Sequence, residues 1–138
     1  DAHSSEFNPT CKYPVIDLME NQIGITRKGG TMRLGAYPCK IKEGTRLKEL
    51  YGKELISERH RHRYEFNNNY RDIMTQKGLV ICGTSPNEQL VEAVELPSNR
   101  FFIGVQYHPE FKSRPNKPHP LFLGLLKAAL EDSYENKQ

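Results

Sequence analysis

A chain of 138 residues with 36% hydrophobic content is long enough for one domain with its own core and not polar enough to require disorder. Its formal charge of +3 is too small to direct it to nucleic acid or to a membrane surface. Cys11, Cys39 and Cys82 form no CxxC pair, so neither a disulfide framework nor a zinc ribbon is indicated, and free thiols fit a reducing, cytoplasmic compartment.

In chain order, the first 35 residues read as irregular, punctuated by Pro9, Pro14 and the Gly29-Gly30 pair, with residues 30–35 as a short extended piece between glycines. Thr45 is placed to cap a short helix with Leu47, Leu50 and Tyr51 on its apolar face and Gly52 as its stop. A basic stretch follows over residues 58–65. Asn67 or Asn68 then caps a second helix that Gly78 ends. Three strands are expected over residues 79–82, 90–96 and 101–107, the last being the most apolar and reading as buried. A final helix starts at Pro120, with Leu121, Phe122, Leu125, Leu126 and Ala129 on one stripe, and frays after Glu131. No apolar run approaches the roughly 20 residues that span a bilayer, and the N-terminus lacks a signal pattern. The mix predicts an α/β fold, a mixed central sheet flanked by helices.

The sharpest chemical feature is Tyr107-His108-Pro109-Glu110-Phe111, at the carboxyl end of the most apolar strand, where α/β sheets gather catalytic groups. Pro109 fixes its own φ and biases His108 towards extended backbone, so the loop is stiff. On such a loop Glu110 can hold one nitrogen of His108 while the other takes a proton from a nucleophile. The plain alternative is a loop histidine beside a loop acid. No nucleophile is evident: Cys82 is followed by Gly83-Thr84-Ser85-Pro86 and reads as a strand residue, Cys11 and Cys39 lie in irregular segments, and there is no GxSxG. The basic run allows a nucleic-acid patch, a zinc site on His60 and His62, or a charged strand edge. Its clustered Arg59, Arg61 and Arg63 would also suit a substrate carboxylate.

Tyr107-His108-Pro109-Glu110-Phe111 resembles the histidine–glutamate end of the Cys-His-Glu triad of class I glutamine amidotransferases. Five further stretches are similar, in the same order, to the CTP synthase family within that class. They are Ser4-Ser5-Glu6-Phe7, the glycine-bounded Gly29-Gly30-Thr31-Met32-Arg33-Leu34-Gly35, Glu58-Arg59-His60-Arg61-His62-Arg63-Tyr64-Glu65, and Ser113-Arg114-Pro115 with His119-Pro120-Leu121-Phe122. The similarity runs over residues 1–129.

The resemblance implies a glutaminase that releases ammonia through a cysteinyl thioester. Its partner would be a synthetase domain of the same parent chain, which uses ATP and Mg2+ to aminate UTP to CTP, with GTP as activator of the parent enzyme. It assigns His108 as general base and acid, Glu110 as its orienting carboxylate, Glu6 to the amino group of L-glutamine and Arg63 to the glutamine pocket. It implies no cofactor or metal in this chain, a homo-oligomeric parent, and neither nucleic acid nor membrane as partner. The family's glycine-flanked cysteine elbow is not found in the sequence. Residues 1–138 are therefore expected to be a partial amidotransferase domain, inactive alone. Another class I amidotransferase or related hydrolase, or a non-catalytic amidotransferase-like module, are the competing readings.

Overall fold

The computed structural model of the chain describes residues 1–18 and 32–135. Its order is β1 (Ala2–Ser4), β2 (Tyr13–Leu18), β3 (Arg33–Ile41), α1 (Arg46–Tyr51), β4 (Leu55–His62), β5 (Tyr64–Phe66), α2 (Arg71–Gln76), β6 (Val80–Thr84), β7 (Val91–Glu95), β8 (Ile103–Val105) and α3 (Pro120–Glu135). The α/β class is as expected. The described strands lie in two sheets, a three-stranded one of order β1-β2-β5 and a five-stranded one of order β4-β3-β6-β7-β8.

The smaller sheet is mixed, because β1 runs parallel to β2 and β5 antiparallel to it. Every pairing in the larger sheet is antiparallel. That sheet curls. The chain leaving β8, on one edge, sends the His108 N–H to the Arg59 carbonyl of β4, on the other edge, at 2.9 Å. The core within the curl holds Cys39, Ile41, Leu47, Ile56, Cys82, Ala93, Tyr107 and Leu121.

The first helix forms as its sequence dictates. Thr45 is extended and accepts the Lys48 N–H on its hydroxyl, and Gly52, at φ 64°, takes the left-handed conformation that a side chain would resist. Burial adds what the sequence does not display: the Glu95 carboxylate accepts the N–H groups of Arg46 at 3.0 Å and Leu47 at 3.1 Å, the open donors of the first turn. Asn67 caps a 3-10 turn, Asn68–Tyr70, that runs into α2, and Gly78 follows at φ 102°.

Several expectations change. The N-terminal segment contains β1 and β2 rather than irregular chain. The strand beginning near residue 79 passes through Gly83 to Thr84. Only Ile103–Val105 of the apolar run 101–107 is strand, and it is half-buried. Helix α3 continues to Glu135, and of its expected stripe only Leu121 is buried, with Leu125 and Leu126 exposed. The extended piece before β3 is described from Met32 onward; Gly29, Gly30 and Thr31 lie outside the described residues. Among the described residues no helix is long and apolar enough to cross a membrane.

Candidate functional site

His108 sits where two constraints meet. Gln106 N–H still bonds the Glu92 carbonyl of β7, at 2.9 Å, and two residues later His108 N–H bonds β4. Pro109 then opens a 3-10 turn, Pro109–Phe111, with His108 extended ahead of it at φ −107°, ψ 95°, as a residue before proline prefers. The turn brings Glu110 Oε1 to 2.6 Å from His108 Nδ1, and the Phe111 ring stacks on the imidazole at 4.9 Å between centroids. Position and plane of the imidazole are therefore both set.

The hydrogen bond from His108, followed by one from its own backbone, holds the Glu110 carboxyl below its ordinary range. An ionised Glu110 only accepts, so Nδ1 of His108 carries the proton and Nε2 presents a lone pair. His108 is 38% and Glu110 54% exposed at the side chain, so the pair is open to an approaching group.

Glu6 and Arg63 come to a common place by topology. Ser4 pairs with Ile16 in parallel register, and Leu18 pairs with Tyr64 in antiparallel register. Glu6, two residues past β1, and Arg63, one residue before β5, therefore both leave the carboxyl end of β2. They are two strands apart, on the order of 10 Å across the sheet. Glu6 is exposed in a turn where Ser5 donates its hydroxyl to Asp17 at 2.6 Å. Arg63 is half-buried in the β4–β5 turn, and its buried Nε has no hydrogen-bond partner among the described residues. Arg59, whose carbonyl receives His108, lies four residues upstream, roughly 13 Å of extended chain.

The basic run divides by strand periodicity. Arg59 and Arg61 face solvent, while Ile56, Glu58 and His60 point inward. The rings of His60 and His62 bond each other, Nδ1 to Nε2 at 2.9 Å, so their nitrogens do not converge on a common metal position. Beneath them Arg33 pairs with Glu92, which is wholly buried, and stacks on Tyr37 with its guanidinium 4.4 Å from the ring centroid. Beside them Glu58 Oε1 accepts from His119 Nε2 at 2.9 Å and from the Tyr51 hydroxyl at 3.0 Å. Tyr51 also bonds Tyr107, the residue before His108, at 3.1 Å between hydroxyls. Sequence reading passed over Arg33, Glu58, Glu92 and His119. For Glu92 the available signal was an acid inside the otherwise apolar start of β7, Val91-Glu92-Ala93-Val94.

Neither core cysteine is chemically poised. Burial pushes the Cys39 thiol up to about 12, with Glu92 and Glu58 adding to it, and burial raises Cys82 further still. Both stay protonated and pack in the core.

A profile of the family described as "Glutamine amidotransferase class-I" matches residues 14–128. The chain is 56% identical over 138 residues to a protein named CTP synthase from Chlorobaculum parvum, covering all of this chain and 24% of that one. It is 58% identical over 137 residues to the CTP synthase of Caldanaerobacter subterraneus, covering 99% of this chain and 26% of the other. Among solved structures, the glutaminase domain of Trypanosoma brucei CTPS with bound acivicin superposes with a TM-score of 0.85 at 38% identity, over 95% of this chain and 51% of that one. The chain thus spans about a quarter of the length of the curated relatives it matches.

Proposed function

The chain belongs to the class-I glutamine amidotransferase family, and from that premise we propose that residues 1–138 are part of the glutaminase domain of a CTP synthase. In this reading the domain releases ammonia from L-glutamine for the ATP-dependent amination of UTP in the remainder of a longer protein. The observation that carries it is the 2.6 Å contact between His108 Nδ1 and Glu110 on a turn stiffened by Pro109. With Nδ1 held, Nε2 takes the proton from a thiol as sulfur attacks the side-chain amide carbon, and returns it to the nitrogen that leaves as ammonia. The resulting imidazolium is stabilised by the neighbouring carboxylate. The acyl thioester is then hydrolysed, with the same nitrogen activating water.

The nucleophile in this scheme comes from outside residues 1–138: Cys39 and Cys82 are buried, protonated core residues, and Cys11 precedes the start of β2, at the end of that strand away from Glu6 and Arg63. Glu6 takes the ammonium group and Arg63 the α-carboxylate of L-glutamine, as a zwitterion asks for one anion and one cation. ATP and Mg2+ belong, in this reading, to the synthetase part of the parent, and GTP is an activator of the parent enzyme.

The test is made in the full-length enzyme. His108→Ala should abolish CTP formation from glutamine, a loss of several orders of magnitude, and leave formation from added ammonium intact. Equal loss with both nitrogen sources would show instead that His108 supports folding or the amination step.

A further inference from the structure

The β4–β5 turn that carries Arg63 is held from inside by a chain of rings. His62 Nδ1 lies 3.0 Å from the Tyr64 carbonyl oxygen. A carbonyl only accepts, so that nitrogen bears the proton. In a neutral ring Nε2 is then an acceptor, and His60 Nδ1, 2.9 Å away, must donate to it. Both rings are held neutral, burial lowering His62 to about 4 and His60 to about 3.

His60 cannot turn to bond elsewhere. The rings of Tyr37, on β3, and Tyr107 meet it edge-on at 5.5 and 5.9 Å between centroids. Its Nε2, which carries no proton in this tautomer and has no hydrogen-bond partner among the described residues, lies against Glu92 of β7 at 3.7 Å, and Glu92 is tied to Arg33 of β3. The orientation of His62 is thus set by packing from β3, from β7 and from the chain beyond β8. Its proton closes a short loop from the ring of residue 62 to the carbonyl of residue 64, and Arg63 is the residue enclosed. With Arg63 Nε already buried, the aim of the guanidinium follows the backbone of that loop.

We propose that His62 is a positioning residue for glutamine binding: its Nδ1–H, braced by His60 packed between Tyr37 and Tyr107, fixes the Tyr64 carbonyl and so the turn from which Arg63 meets the substrate carboxylate. The proposal rests on the reading of Arg63 as that partner.

Two substitutions in the full-length enzyme separate this role from simple packing. An asparagine amide nitrogen stands in for Nδ1 of histidine, and a glutamine amide nitrogen for Nε2. His62→Gln should raise the KM for glutamine about tenfold with kcat within about twofold, as expected for a lost ground-state contact. His62→Asn, which keeps the donor to Tyr64, should stay within about threefold of wild type in both. Equal effects of the two substitutions on KM, or a fall in kcat at unchanged KM, would overturn the assignment. A wild-type enzyme that released no ammonia from glutamine would sink the glutaminase reading and this proposal with it. An active wild type with indifferent variants would sink the proposal alone. Should His62→Gln fail to fold, nitrogen-15 NMR of the wild-type enzyme decides. The His62 ring should be protonated at Nδ1, and added L-glutamate should slow exchange of that proton. An Nε2–H tautomer, or exchange indifferent to L-glutamate, would overturn it.

Discussion

Acidification should destabilise the protein well above the range where carboxylates titrate, because His60 and His62 are buried as neutral rings. The folded-state values are depressed from 6.5 to about 3 for His60 and about 4 for His62. A base with a depressed folded pKa leaves the unfolded chain holding more protons, so its contribution is complete above pH 6.5 and is lost as pH falls towards the folded value. Between about pH 7.5 and about pH 5 a fully buried ring of this kind costs about 2 kcal/mol. His60, at 1% exposure, warrants the whole figure; half-buried His62 warrants roughly half of it, about 1 kcal/mol. Arg33 opposes protonation of both rings, and so does a charge on His108. Glu92 works the other way: burial raises its pKa, so acid relieves part of its desolvation.

The net expectation is a loss of about 1–3 kcal/mol between about pH 7.5 and about pH 5, read from urea unfolding midpoints at constant ionic strength. His60→Gln removes the larger titrating group and should flatten that pH dependence by about 2 kcal/mol, whatever it does to stability at neutral pH. A stability that stays level over the interval, or an unchanged slope in His60→Gln, would refute the reasoning.

Other outcomes follow from single contacts. In the full-length enzyme Arg63→Ala should lower kcat/KM for glutamine by about ten- to a hundredfold, the worth of one charge-assisted contact of about 1.5–3 kcal/mol, while Arg59→Ala changes it little. Indistinguishable glutamine kinetics for the two would dismiss Arg63 from the pocket. Glu95→Ala leaves the Arg46 and Leu47 N–H groups without the carboxylate and should destabilise by about 2–4 kcal/mol in urea unfolding, with Glu95→Gln retaining part of it. Gly83→Ala would set a methyl 2.9 Å from Cys39 Sγ and 3.0 Å from Ala93 Cβ, costing about 1–3 kcal/mol. Cys39→Ala in the same chain should return some of that in a double-mutant cycle, and strict additivity would show that the clash lies elsewhere.

What the sequence displayed was governed by neighbours in the chain. The helix from Thr45 to Gly52 and the 3-10 turn after Asn67 follow from caps and turn residues a few positions apart. The His108–Glu110 contact is legible for the same reason, since proline between them leaves few conformations. Missed strands have distant partners: Ile16 of β2 pairs with Phe66, and β1 is strand only because β2 lies beside it. The apolar run 101–107 misled because its character serves two partners. After Val105 the backbone leaves the ladder of β7 and bonds to β4. Helix α3 misled in the opposite sense, being apolar around more of its circumference than the described residues cover, as exposed Leu123, Leu126 and Leu130 show.

Strand β4 shows why the site's supports were harder to read than the site. Its sequence reads as a charged edge, and its outer row, Ser57, Arg59 and Arg61, is one. The inner row places Glu58 and His60 at 2% and 1% exposure, where a charge or an unmet hydrogen bond is costly. Each is partnered through one atom by a different element, while Glu58 Oε2 and His60 Nε2 stay buried without a hydrogen-bond partner among the described residues. Glu58 gathers Tyr51 from α1 and His119 from the approach to α3, while His60 passes its proton contact to His62 and the turn beyond. Such groups accept few alternative arrangements, so they restrict how β4 can sit against its neighbours. Because β4 also receives His108 on the Arg59 carbonyl and leads directly into Arg63, the same restriction bears on both residues. Local pattern offers His108 with Glu110, and only the resemblance picks Arg63 from three arginines; the spacing of these residues is a property of the buried row beneath them, which only the assembled strands reveal.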